Sequence, residues 1–406
     1  MPRNKDSVGL RFPLSVRVCI AVVSLSFTMI PTFGGESDVI VKANSVHTMN
    51  GSVLSPGMIL IRDGKIAQVA ESIEIETMPT TVEVRHVMPG LVNAQSTAGL
   101  VGSGGEASRE VTPEFETAGM IDFDARDFLE AVDGGETTLH LMPSTENVIA
   151  GWTCLVKASG GEPSERFLET RKGVAISMCS DPAGRNRSRS RPDSIYVRQP
   201  TNRMGVVWIL RNQLQRARTP SGGEAGNATG PLVKMLAGKV TAFGVSRTSF
   251  DIQTLLTISD EFDFDPIVVG GQEAYDVLDE LADSGAPVIY TGVSPGVFGR
   301  EGSELFWATP VRLSDKDIPF CIAGDGLLER MRLAVRFGLT PEQAMASVTA
   351  DAAEVLGIDK RVGKIAVGYD ADLLGFSGPP AEMTSSLDWV MINGQDVTSS
   401  KAAEED

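Results

Sequence analysis

Eight short apolar runs punctuate the middle of the chain, at residues 87–94, 137–143, 153–159, 173–180, 239–246, 265–271, 286–293 and 318–325. They are nearly uncharged and rich in β-branched residues, and amphipathic segments lie between them. This pattern predicts parallel strands buried on both faces and separated by helices, and eight such strands predict a (β/α)8 TIM-like barrel over residues 87–357. One helix, at 327–338, places Leu327, Leu328, Met331, Ala334, Val335 and Gly338 on one face. The next is predicted over 340–357 and opens with a capping box from Thr340 to Gln343, with Pro341 at its first position.

Both flanks change period. Residues 38–86 read as short strands with turns, including a hairpin signal at Asp63 and Gly64, and 358–398 return to the same pattern. The simplest assembly pairs the two ends into a small β-sandwich sub-domain. An acidic tail follows at 399–406.

The first 37 residues differ from the rest. Arg3, Lys5, Arg11 and Arg17 precede the uncharged stretch VCIAVVSLSFTMIPTFGG, the order of a secretory signal. The protein is therefore expected to be exported to the periplasm or another extracytoplasmic space. A clear small-residue cleavage site is missing, so an uncleaved membrane anchor stays open as an alternative, and Cys19 does not sit at a lipoprotein junction.

Composition narrows the partners. Lys and Arg total 36 against 53 Asp and Glu, a formal charge of −17, which repels nucleic acid and anionic lipid. The one basic cluster, Arg185, Arg187, Arg189, Arg191 and Arg198, lies in a Ser-rich stretch and reads as solvated loop. Cys154, Cys179 and Cys321 sit in apolar strands with no metal-knuckle spacing, and read as buried thiols. SGGE occurs at 103, 159 and 221, the first two directly after predicted strands. No Gly-Lys-Ser/Thr follows these glycines, so they make no phosphate loop, and Ser96 lacks the elbow motif of a catalytic serine.

The stretch VMPGLVNAQSTAGL at 87–100 resembles the first-strand signature of the amidohydrolase superfamily, Pro-Gly-Leu, an aliphatic, Asp or Asn, then Ala, followed by His-x-His. The segment from Leu333 to Gly378 is similar to that family's closing helices and its Gly-x-x-Ala-Asp-Leu return. The resemblance is nearest to the imidazolonepropionase-like branch and spans roughly residues 38–398. It implies a metal-dependent hydrolase of C–N bonds in amides, lactams or cyclic ureas, in which metal lowers the pKa of a bound water and an Asp takes its proton.

Carried over residue by residue, the resemblance leaves most of that site empty of donors. Gln95 and Thr97 stand at the paired His, and Val245 and Gly270 at the fifth- and sixth-strand His. The chain has three His in all: His47, His86 and His140. The first two fall before the barrel, and His140, mid-strand, is expected to be a satisfied core residue. Asp325 matches the metal-bound Asp after strand eight, and Lys157 matches a Lys of this branch, either a site group or an ion-pair partner. No cofactor is expected on this reading.

Three functions follow. The first is a pseudoenzyme that binds a small molecule or protein, with Gln95 and Thr97 at the binding site. The second is a hydrolase with Asp325 as general base, Lys157 and the GSGGE backbone as oxyanion donors, and a divalent metal on oxygens such as Glu106 or Glu162. The third is a structural partner of an intact paralogue or of a second copy.

Overall fold

The computed structural model describes residues 38–74, 79–102, 104–106, 108–184, 199–219, 230–292 and 303–398. The expected export segment, the basic cluster and the acidic tail lie outside the described residues. All those described belong to one compact unit. Among them, no helix is long and apolar enough to cross a membrane.

Both chain ends meet in one continuous eight-stranded sheet. From the N-terminal flank come β1 (Val39–His47), β2 (Val53–Leu54), β3 (Gly57–Arg62), β4 (Lys65–Ala70) and β5 (Thr80–Pro89). The hairpin between β3 and β4 turns at Asp63 and Gly64, both with positive φ. The middle of the chain supplies β6 (Leu91–Ser96), β7 (Glu136–Leu141), β8 (Ile149–Trp152), β9 (Cys154–Lys157), β10 (Phe167–Glu169), β11 (Gly173–Ser177), β12 (Thr241–Ser246), β13 (Pro266–Gly270), β14 (Val288–Tyr290) and β15 (Phe320–Ile322). The C-terminal flank adds β16 (Leu373–Phe376), β17 (Leu387–Ile392) and β18 (Gln395–Asp396), and β16 pairs antiparallel with β5. Alternation along these strands gives the sheet two apolar faces. Leu374, Phe376, Val390 and Ile392 join the large core shared with the helices, while Val41, Ile59, Leu373, Trp389 and Met391 form a core of their own.

Each of the eight expected runs contains a strand. β11 to β15 are parallel in chain order, and β6 pairs parallel with β7. The third run departs from the expected parallel direction. It holds β9, which pairs antiparallel with β7, and β8, just before the run and separated from β9 by Thr153, pairs antiparallel with β11. Only residues 142–148 separate β7 from β8, too few for the crossover that a parallel return requires. The helix expected at 340–357 is also interrupted. It forms as Pro341–Ser347, with the capping box in place, and Ala350–Val355, divided at Val348 and Thr349.

Apolar residues dominate the inward faces of these strands, and the buried His140, whose ring lies 4.4 Å from that of Phe243, shares them. Val92, Ala94, Ala175, Val245, Ile267, Val269, Ile289 and Cys321 make one cluster with Ala352, Ala353 and Leu356. The interior beneath the strand ends is thus filled by side chains, as expected where buried strands carry uncharged runs.

Candidate functional site at the strand ends

β6 ends in Gln95 and Ser96 with Thr97 next, Val245 is the penultimate residue of β12, Gly270 ends β13, and Asp325 follows β15. The structure brings all of these to one cavity of about 520 Å³, so the five positions singled out at strand ends share a wall. Arg247, Gln272, Thr291, Phe306 and Arg330 complete it. A second cavity of about 310 Å³ shares Ser96, Thr97 and Asp325 with the first and is walled otherwise by Asp127, Glu130 and Glu136.

No backbone ladder joins β6 to β15, and Asn93 crosses that seam. Its side-chain oxygen accepts from the Gly324 N–H at 3.0 Å and from the Gln95 N–H at 3.2 Å. Its Nδ2 donates to Glu136 at 2.8 Å. The Gln95 backbone and the loop carrying Asp325 are therefore positioned by one buried amide. Burial pushes the Glu136 carboxyl up to about 7, against the hydrogen bond from Asn93 that favours its ionised form, and nearby Asp325 adds to the rise.

The positive groups of the wall are engaged. Arg247 holds both oxygens of Asp181, at 3.0 and 2.9 Å. Arg330 donates from Nε to the Asp325 carbonyl at 2.7 Å and from Nη1 to the Thr291 carbonyl at 3.0 Å. Gln272 donates to the Thr291 hydroxyl at 2.9 Å. By contrast, Oε1 of Gln95 and Oε1 of Gln272 are buried without a hydrogen-bond partner among the described residues.

Other sequence candidates lie elsewhere. Lys157 is 1% exposed and pairs with Asp370 at 3.0 Å and with Asp372. Lys157 is level with Thr138, and Thr138 with Val92. Because β9 runs antiparallel, its last residue sits at the end of the sheet opposite Gln95, which removes Lys157 from the mouth. Glu162 follows β9 on that same side and is exposed. Glu106 accepts from the Ser108 N–H at 2.7 Å and lines neither mouth cavity. His140 is a satisfied core residue: its ring nitrogens lie 2.8 Å from the Ala94 carbonyl and 2.8 Å from the Thr153 hydroxyl, and burial drops its pKa to about 4. His47 and His86 lie together in the end sheet, 3.4 Å apart. Burial pushes the thiols of Cys154 and Cys179 up to about 12, and that of Cys321 higher still, as buried structural cysteines require.

A divalent ion at this mouth would need imidazole or carboxylate donors from several strand ends. Val245 and Gly270 have none, Gln95 and Thr97 offer neutral oxygens, and Asp325 is the single carboxylate of the larger cavity. Among the described residues, no group of three or more His, Cys, Asp or Glu converges to hold one. These residues do not fit the metal that the resemblance implies.

Sequence reasoning missed Arg247, Gln272, Thr291 and Arg330. The first three had a legible signal: each lies at or just past the end of an apolar run, one or two residues after its strand, where side chains reach the mouth.

Residues 314–397 match the model of the amidohydrolase family. The chain is 24% identical over 397 residues to amidohydrolase tasK of Hapsidospora irregularis, covering 83% of this chain and 39% of that protein. It is 37% identical over 73 residues to the imidazolonepropionase of Colwellia psychrerythraea, covering 16% of this chain and 18% of that one. The chain thus spans less than two thirds of the length of the curated relatives it matches. Among solved structures, an amidohydrolase from Thermotoga maritima has a TM-score of 0.79 at 23% identity, covering 88% of this chain and 99% of its own. That likeness, with the mixed α/β content, fits a TIM-like fold.

Proposed function

Because the chain belongs to the amidohydrolase superfamily, in its imidazolonepropionase-like branch, and four of the family's ligand positions carry no imidazole, we propose that it is an exported pseudoenzyme that binds a small molecule. In this reading a (β/α)8 barrel, with a sub-domain built from both chain ends, has given up metal-dependent C–N hydrolysis and kept the cavity. The observation that carries it is the composition of that cavity: Val245 and Gly270 stand where donors would have to be, and Gln95, Thr97 and Gln272 line it with neutral polar groups. Export rests on the basic-then-apolar order of the first 37 residues.

The test is elemental analysis of protein purified without chelator, beside Asp325→Asn, followed by amide, lactam and cyclic-urea hydrolysis assays. Metal-free protein with no turnover, whose melting temperature rises with a small polar ligand, is the expected result. Stoichiometric metal that disappears in Asp325→Asn sinks the reading.

A second reading, a hydrolase with Asp325 as general base, draws on one observation: the Asp325 carboxylate is exposed at the cavity both strand sets share. Lys157 contributes nothing to it, lying at the far end of its strand. Metal-independent amide hydrolysis lost in Asp325→Asn would favour this reading over the first.

A further inference from the structure

A cavity selects its ligand by the groups that its own structure leaves unsatisfied. At this mouth both arginines are engaged, while two buried amide oxygens are left without partners among the described residues. Arg247 is held by Asp181, and Arg330 by two backbone carbonyls. The two amide oxygens belong to Gln95 and Gln272. The adjoining cavity, which shares the Asp325 wall, is lined by Asp127, Glu136 and Glu130, the last paired with Arg126 at 3.1 Å, and by no basic side chain among the described residues. A buried acceptor left unpaired costs free energy that a matching donor recovers, and a charged donor recovers most.

We infer that the mouth takes an organic cation carrying several N–H donors, a guanidinium or a primary ammonium compound. The charged nitrogen group would lie against Asp325 and the acidic cavity, and a turn of the Gln95 and Gln272 amides, which line the wall, would bring their oxygens to its N–H groups. An anionic ligand would meet the Asp325 carboxylate and two orphaned oxygens, so the same wall that accepts a cation rejects a carboxylate of equal size. This class rests on the proposed binding role and narrows it.

The test is calorimetric titration of the whole chain with three probes of similar size: butylguanidinium, neutral butylurea and anionic butyrate. Butylguanidinium is expected to bind about tenfold or more tightly than butylurea, with butyrate weaker still. Asp325→Asn should weaken butylguanidinium about tenfold, and raised salt should weaken it further. Gln95→Met, similar in volume but without the acceptor, should weaken it several-fold while neither variant lowers the parent's melting temperature. Equal or tighter binding of butylurea or butyrate, or a cation affinity that neither variant changes, overturns the cation class. Failure of all three probes to bind overturns it too. These outcomes separate from failure of the binding role itself. Butyrate bound at a site that Asp325→Asn alters keeps the role and removes the class, whereas metal or turnover dependent on Asp325 removes the role.

Discussion

Glu136 is the residue whose chemistry is most displaced from the ordinary. Its carboxyl is buried beside Asn93 and pushed up to about 7. A carboxyl raised in the folded state binds protons that the unfolded chain has already released, so stability falls as pH rises from about 4.5 to about 7. His140 acts in the opposite sense: depressed to about 4, it is neutral in the fold while the unfolded imidazole protonates, so stability rises from about 4 to about 6.5. The two slopes offset each other through the overlap, and above about 6.5 the Glu136 slope is left to act. Glu136→Gln should therefore raise the urea midpoint at pH 8 by an amount equivalent to about 1–3 kcal/mol and leave it nearly unchanged at pH 4.5. Equal effects at both pH values would show that the carboxyl is not raised. None of this was legible in the sequence, because Glu136 opens an apolar run like any strand-flanking acid, and only the seam with Asn93 makes it a buried one.

At the scale of elements, the antiparallel third strand decides what Lys157 does. The apolar pattern of residues 153–159 carries burial but not direction, so it reads equally well either way. The information on direction was in the connection, the short stretch 142–148 before β8. With the strand reversed, Lys157 meets Asp370 and Asp372 from the segment that leads back into β16, while Lys65 and Arg361 also hold Asp370, at 2.7 and 2.8 Å. Burial works against ionisation of Asp370, but these three cations outweigh it and hold its carboxyl below the ordinary value. The cluster therefore fastens the C-terminal return to the middle strands. Lys157→Met should cost about 3–5 kcal/mol, since it strands Asp372 without its charged partner. Lys157→Met combined with Asp372→Asn should recover part of that loss. Denaturant unfolding of both variants checks this, and no recovery in the double variant would mean that the lysine acts through packing alone.

For the whole molecule, the question is what organises the mouth of a fold whose relatives carry the amidohydrolase name when Gln95, Thr97, Val245 and Gly270 line it. The strand ends were legible in the sequence, because apolar runs that stop at small polar residues mark where side chains turn outward; Gln95, Thr97, Val245, Gly270 and Asp325 share one cavity as that reasoning requires. The walls between them were not, since Arg330 comes from the helix Leu327–Arg336 and reaches the mouth only through tertiary packing. Two features of the chain itself tie the mouth together. Asn93 ties β6 to the loop after β15, and the inward cluster around Val245, Ile289 and Cys321 fills the space below. An ion that binds only the folded state stabilises it in proportion to the logarithm of its concentration over its dissociation constant. With no group of three or more His, Cys, Asp or Glu converging among the described residues, that linkage is expected to be absent. Addition of zinc or magnesium at about one hundred times a typical micromolar affinity would raise stability by about 2.7 kcal/mol if a site existed. The expected shift in melting temperature is none, with chelator equally without effect. A rise that saturates with added metal and is abolished in Asp325→Asn would place a rebuilt oxygen-ligand site at the mouth and return the chain to the hydrolases.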